Sequence, residues 1–201
     1  MSLRFAGAVL AGGEASRMGG EPKGLLERVP GQPILAHLLD VLSRAGAAQT
    51  ILSANDAPLY APLGFEVVPD VHPGLGPLSG IEAALRRFAR DVEAVAFLPC
   101  DLPAISVAEV ERLLDAFRAG PPTVHMVVAG PGRFCRQPCC CVVPTTALPA
   151  VRRSIEENKL KIGLLWRELG MVEVAFPDPA PFHNINCPAD YAAWLRHRAE
   201  P

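Results

Sequence analysis

Short apolar runs alternate with amphipathic stretches along the chain, and this alternation predicts strands followed by helices. Phe5 to Leu10 is an unbroken apolar run of the kind a strand buried on both faces requires, and it breaks into a glycine-rich segment. Ile34, Leu38, Val41, Leu42 and Ala45 then share one stripe of a helix from about Pro33 to Ala45, which Gly46 stops. Thr50 to Ser53 and Glu66 to Val68 predict two short strands. From Leu78 the positions Leu78, Ile81, Leu85 and Phe88 return at helical spacing, so the segment between Asp70 and Gly80 reads as a strand-to-helix loop. Ala94 to Leu98 predicts a central strand. Ser106-Val107-Ala108-Glu109 has the form of a capping box, opening a helix that carries Val110, Leu113, Leu114 and Phe117 and closes at Gly120, Pro121 and Pro122. The second half predicts strands from Thr123 to Ala129 and Cys139 to Val143, and helices from Thr146 to Glu156, Leu160 to Leu169 and Pro188 to Arg198. Gly130-Pro131-Gly132 between the two strands is a turn signal, which predicts a hairpin and so one antiparallel member in the sheet.

Such a pattern predicts an α/β fold, a mostly parallel sheet with helices on both faces. With 201 residues the chain is expected to form one domain, residues 1–201. Half of the residues are apolar and a fifth are charged, which excludes a disordered chain. Nineteen basic against twenty-one acidic side chains give a net charge of −2, so no global field draws the protein to nucleic acid or an anionic membrane. Gly12, Gly13 and Glu14 interrupt the first apolar run before it could serve as a signal peptide. No stretch reaches the ~18 consecutive apolar residues of a spanning helix. A cytoplasmic location is the expectation. The six cysteines, Cys100, Cys135, Cys139, Cys140, Cys141 and Cys187, then read as reduced thiols. The run from Cys139 to Cys141 lacks the paired spacing of a zinc site and reads as thiols buried in a strand.

Ligands of open α/β sheets bind beyond the carboxyl ends of the strands, which singles out three loops. The first runs from Leu10 to Lys23 and holds Gly12, Gly13, Gly19 and Gly20 with the cations Arg17 and Lys23. Glycines let backbone N–H groups face an anion and the cations suit a polyphosphate, so this loop reads as a phosphate cradle. It matches neither G-x-G-x-x-G nor G-x-x-x-x-G-K-[ST], which weighs against a dinucleotide dehydrogenase and a P-loop enzyme. The second is Pro99-Cys100-Asp101-Leu102-Pro103, where a carboxylate at a strand end offers a hard oxygen ligand for Mg2+. The third runs from Asp70 to Gly80. Gly74, Gly76 and Gly80 permit close approach to a ligand, Asp70 could reach a ribose, a base or the metal shell, and His72 is a candidate acid or substrate contact. No serine nucleophile elbow is present.

At these residues the sequence resembles a known family. Leu10-Ala11-Gly12-Gly13, Ser16-Arg17-Met18-Gly19 and Lys23 are similar to the L-A-G-G-x-x-x-R-M-G-x-x-x-K signature of molybdenum cofactor guanylyltransferases, within the nucleotidyltransferase superfamily. Gly76-Pro77-Leu78-Ser79-Gly80 resembles their G-P-L-[AS]-G loop. Pro99-Cys100-Asp101-Leu102-Pro103 resembles the P-C-D-x-P metal motif, and Asn184-Ile185-Asn186-Cys187-Pro188-Ala189-Asp190 the late N-x-N-T-P-E-[DE]. The resemblance implies a Rossmann-like three-layer sandwich, with a nucleotide half at about 1–105 and an acceptor half at about 106–201. It implies transfer of GMP from GTP to the terminal phosphate of molybdopterin, with Mg2+ as cofactor. Lys23, Arg17 and Asp101 would be catalytic, with Asp101 as the metal ligand. Leu10, Ala11, Gly12, Gly13, Ser53, Asn55 and Asp70 would join Lys23 and Asp101 around the nucleotide, and Gly76, Pro77, Leu78, Asn184 and Asn186 would face the acceptor. Cytidylyltransferases of the same pathway tend to show L-A-A-G, so glycine at position 12 favours the larger guanine. Transient docking on molybdoenzymes or other proteins of the cofactor pathway is a further implication. The chain departs from the family pattern at Ser53, where some members have asparagine, at Cys187, where threonine is usual, and around Arg136-Gln137-Pro138, where a histidine or hydroxyl residue often stands.

Three alternatives remain open at this level. The same site could use CTP or a different phosphorylated acceptor. A Rossmann oxidoreductase is opposed by the missing glycine fingerprint and by Asp101, which hydride transfer does not need. A non-catalytic cofactor-binding module would tolerate loss of the Asp101 carboxylate.

Overall fold

All six residues of the first strand, β1 (Phe5–Leu10), are buried, as a strand covered on both faces must be. The structure, a computed structural model, describes residues 3–12, 22–130 and 136–199. A small hairpin follows, β2 (Glu27–Val29) and β3 (Gln32–Pro33), then α1 (Ile34–Arg44), β4 (Thr50–Ser53), the single turn α2 (Ala57–Tyr60) and β5 (Glu66–Val68). The middle of the chain contains α3 (Pro77–Phe88), β6 (Ala94–Pro99), α4 (Val107–Ala119), β7 (His125–Ala129) and β8 (Arg136–Pro144). The last elements are α5 (Leu148–Glu156), α6 (Ile162–Glu168), β9 (Val172–Phe176) and α7 (Pro188–Ala199).

Seven strands form one sheet in the order β5-β4-β1-β6-β8-β7-β9. β1, β4, β5 and β6 are parallel neighbours, β8 is antiparallel to both β6 and β7, and β9 is parallel to β7. The expected hairpin between β7 and β8 is therefore formed, and β8 is the single reversed strand among them. The turn predicted at residues 130–132 lies outside the described residues beyond Gly130, and so does Cys135.

Alternation along β1 sorts the two layers of core. Phe5 and Val9 pack with α1, α4, Phe182 and Ile185, whereas Ala6, Ala8 and Leu10 pack with α3, α5 and α6. At Gly7 a Cβ would lie 2.8 Å from the Leu42 Cβ, so this glycine lets α1 sit close on the sheet.

Four elements depart from the sequence reading. No apolar run predicts β9: of its five residues only Val174 and Phe176 are buried, because an edge strand needs one apolar face. The β2–β3 hairpin and α2 are too short to carry a period. Among the described residues, no helix is long and apolar enough to cross a membrane.

Candidate functional site

Parallel pairing brings the carboxyl ends of β1, β4, β5 and β6 to one edge of the sheet. The ladder continues just past them, with the Ala11 N–H donating to the Ser53 carbonyl at 2.9 Å and the Cys100 N–H to the Leu10 carbonyl at 3.0 Å, so the loops begin side by side. A cavity of about 230 Å³ opens there. Its walls include Leu10, Ala11, Gly12, Lys23, Ser53, Asp70, Gly76, Pro77 and Asp101, all expected from the sequence, together with Pro22, Gly24, Gly80, Pro99, Cys100 and Cys139. Gly13 and Arg17 lie outside the described residues.

The α3 start forms one wall. Gly76, at φ 75°, turns the chain into Pro77 at the first helical position. A Cβ at Gly80 would lie 2.5 Å from the Ser53 Oγ and 3.2 Å from an Asp70 oxygen, so glycine is what lets this helix meet the ends of β4 and β5. A Cβ at Gly12 would stand 3.5 Å from the nearest Asp70 oxygen, an ordinary contact, and the described fold alone does not demand glycine there. Asn55 does not line the cavity. It holds Asp70 instead, donating from Nδ2 to Oδ2 at 2.9 Å and accepting the Asp70 N–H at 2.8 Å.

The polar centre is Asp101 at the end of β6. Its Oδ1 accepts from the Asn184 amide at 3.0 Å, and its Oδ2 lies 3.7 Å from the Lys23 Nζ. Lys23 also donates to the Asn186 Oδ1 at 2.8 Å. Both members of the Lys23–Asp101 pair keep about a fifth of their side-chain surface exposed, 21% and 19%, so they face the cavity rather than the core. The Ile185 N–H donates to the Asp101 carbonyl at 2.9 Å, which stitches residues 184–186 to the strand end. Asn184 is set in turn by Gln137, whose amide reaches both the Asn184 Oδ1 and the Phe182 carbonyl at 3.1 Å. Because β8 runs backwards, its beginning lies at this edge, and that is how Gln137 arrives. In the sequence Gln137 stands out only as part of a departure from the family pattern.

Two expectations need correction. Its motif places Leu78 at the acceptor, but the side chain is fully buried among the α3 and α5 core residues and does not line the cavity. His72 does not line the cavity either. Its backbone N–H donates to the Ser79 Oγ at 2.8 Å, and its ring points at the buried Glu82 carboxylate, 3.7 Å away. The cysteines of the site are not nucleophiles: burial first, and then the Asp101 charge, push the Cys100 and Cys139 thiols up to about 12.

The donor set suits one kind of metal. Among the described residues no cluster of three His, Cys, Asp or Glu side chains could cage an ion. Magnesium is held by one or two carboxylates, waters and substrate phosphates, and Asp101, with one oxygen satisfied by Asn184 and the other facing Lys23 across the cavity, fits that role. A second groove of about 790 Å³ adjoins Asn184 on the side of α7, with Arg28, His183, Asp190 and Trp194 on its walls.

Comparison with known proteins agrees with this geometry. Residues 7–168 match the MobA-like NTP transferase domain. A molybdenum cofactor guanylyltransferase from Vibrio atlanticus is 37% identical over 186 residues, covering 90% of this chain and 91% of that protein. One from Photobacterium profundum is 33% identical over 183 residues, again covering 90% and 91%. Among solved structures, molybdopterin-guanine dinucleotide biosynthesis protein A from Archaeoglobus fulgidus superposes with a TM-score of 0.76 at 22% identity, covering 98% of this chain and 100% of that one. A CMP:2-keto-3-deoxy-manno-octonic acid synthetase complexed with CTP superposes at 0.73 with 15% identity, over 98% and 100% of the two chains.

Proposed function

The chain belongs to the MobA-like NTP transferase family, and from that premise we propose that it is a nucleotidyltransferase that moves GMP from GTP to the terminal phosphate of molybdopterin, releasing pyrophosphate. The observation that carries the reading is the Lys23–Asp101 pair at the joined ends of β1 and β6, held from behind by Asn184 and set in a cavity whose walls also include Gly12, Gly24, Gly76, Gly80, Ser53 and Asp70. Phosphoryl chemistry of this kind is done mainly by positioning and charge neutralisation.

An oxygen of the acceptor phosphate attacks the α-phosphorus of GTP; the new P–O bond forms as the α–β bridging P–O bond breaks, and the electron pair leaves with pyrophosphate. The attacking oxygen is already anionic, so no strong general base is needed. Lys23 holds the triphosphate and offsets charge as it moves onto the leaving group. Leu10, Ala11 and Gly12 line the nucleotide, and Ser53 and the Asn55-held Asp70 close its far side. Asp101 would hold Mg2+, which when bound supplies charge neutralisation at the α-phosphate and the pyrophosphate. Asn184 and Gln137 keep the Asp101 carboxylate turned toward the cavity. Gly76, Pro77, Asn184 and Asn186 face the acceptor, so the nucleotide half and the acceptor half meet at Asp101. Glycine at position 12, where the cytidylyl branch of the resemblance tends to carry alanine, favours guanine over cytosine. The reaction is assigned to the cytoplasm, and the product is expected to pass on by transient docking to the proteins that use it.

The test is pyrophosphate release from purified protein with molybdopterin and either GTP or CTP, with and without Mg2+. Release with GTP and Mg2+, lost in Asp101→Asn while the unfolding midpoint holds, is the expected result. Preference for CTP would move the assignment to the cytidylyl branch, and undiminished turnover in Asp101→Asn would remove that carboxylate from the mechanism.

A further inference from the structure

Asp190 has no part in the reaction as described, yet it stands behind one that does. It is the third residue of α7, and its Oδ2 accepts the backbone N–H groups of Asn186 at 2.8 Å and Cys187 at 3.0 Å. An acid at this position reaching back to the cap is half of a capping box. The other half needs a side-chain oxygen at position 187. Cys187 stands there, and sulfur is a weak acceptor, so Asp190 carries the closure of this helix start. These bonds, the Asn186 N–H foremost, hold the Asp190 carboxyl below the usual carboxylate range.

The residue so fixed is Asn186, whose Oδ1 accepts from the Lys23 Nζ at 2.8 Å. Lysine is a point charge on a flexible four-carbon stem, and its place in a site is decided by its partners. Among the described residues Asn186 supplies the hydrogen bond and Asp101, at 3.7 Å, the nearer charge, while the Asp190 carboxylate adds a weaker pull of its own on Lys23. The chain Asp190, Asn186, Lys23, Asp101 thus runs unbroken from the start of α7 to the proposed metal ligand. Asp190 also lines the groove beside Asn184, so it is a surface residue of the acceptor side that reaches the nucleotide side through one neighbour.

We propose that Asp190 is a positioning residue for Lys23, acting through Asn186, so that the start of α7 sets nucleotide affinity. This rests on the reading that Lys23 contacts the triphosphate.

The experiment measures the GTP dissociation constant with Mg2+ on the full chain, alongside the urea unfolding midpoint, for the parent and five variants: Lys23→Ala, Asp190→Ala, Asp190→Glu, Asn186→Ala and the double variant Lys23→Ala with Asp190→Ala. Loss of a charge-assisted contact in Lys23→Ala weakens binding about tenfold or more, and loss of the support behind it in Asp190→Ala weakens binding about threefold to tenfold. Asp190→Glu restores most of that loss. Asn186→Ala, which keeps the helix cap and cuts the link, matches Asp190→Ala and keeps the test valid if Asp190→Ala does not fold. In the Lys23→Ala background, Asp190→Ala adds no further loss, because groups acting as a unit are non-additive. A lowered midpoint in Asp190→Ala, with GTP affinity unchanged in both Asp190→Ala and Asn186→Ala, would leave Asp190 a helix cap and overturn the proposal alone. A full additional loss in the double variant overturns it too. Unchanged affinity in Lys23→Ala would instead remove the underlying reading of Lys23, and the proposal with it.

Discussion

Cys100 and Cys139 line the cavity beside Asp101, and their thiols are neutral there because burial pushes both up to about 12. Thiolate is the reactive form, so proximity to the site does not make these residues reactive. Iodoacetamide at pH 8 should leave both unmodified in the folded protein and label both after unfolding, as read by peptide mass mapping. Both residues are partly exposed, so labelling in the folded state would mean that their thiols ionise in spite of their surroundings. At this scale the sequence is informative where a residue follows a strand directly. Asp70 and Asp101 can be placed because each stands just past a strand end, whereas Lys23 is placed only by the signature it belongs to. The Leu78 side chain turns to the core in spite of its place in a motif, as the apolar stripe it shares with Ile81 and Leu85 on α3 already indicates. Gln137 cannot be read, since its partner Asn184 is 47 residues away and no local pattern records that distance.

Local rules do best where an element is closed by its own neighbours. The box that opens α4 is present with both bonds, the Ala108 N–H to the Ser106 Oγ and the Ser106 N–H to a Glu109 oxygen. They fail at β8. Between Met126 and Val127 of β7 the pairing partner jumps from Cys141 to Gln137, so β8 bulges over residues 138–140. Proline at 138 has no N–H to give a ladder, which makes a bulge the natural place for it. The bulge turns Cys139 to the cavity, and Trp166 of α6, fully buried, donates from its indole N–H to the Pro138 carbonyl at 2.9 Å. Trp166→Phe should therefore destabilise the fold by about 1–3 kcal/mol in urea unfolding, because it leaves that carbonyl without its partner. A loss below about 0.5 kcal/mol would mean that water replaces the indole.

Across the whole molecule, the alternation of strands and helices specifies the layers and the reversed strand. It cannot specify that β8 enters between β6 and β7, because pairing order is a matter of long-range contacts. The cavity joins the ends of β1, β4, β5 and β6 with Cys139 of β8, so its occupation by nucleotide should stabilise the sheet as a unit. GTP with Mg2+ at about 100 times its dissociation constant adds roughly 2.7 kcal/mol, a rise of about 5–11 °C in the melting temperature of a domain this size. CTP at the same concentration should give a smaller rise, and an equal one would remove the selectivity argued from Gly12. The bond from Lys23 to Asn186 spans 163 positions in the chain. Closing so long a loop waits on most of the fold, and helices and neighbouring strands form earlier. A folding intermediate can hence possess its sheet while the lysine still swings free. On the proposed role of Lys23, competence for nucleotide is expected only once residues 184–186 have docked, and a chain still unfolded there should not sequester GTP.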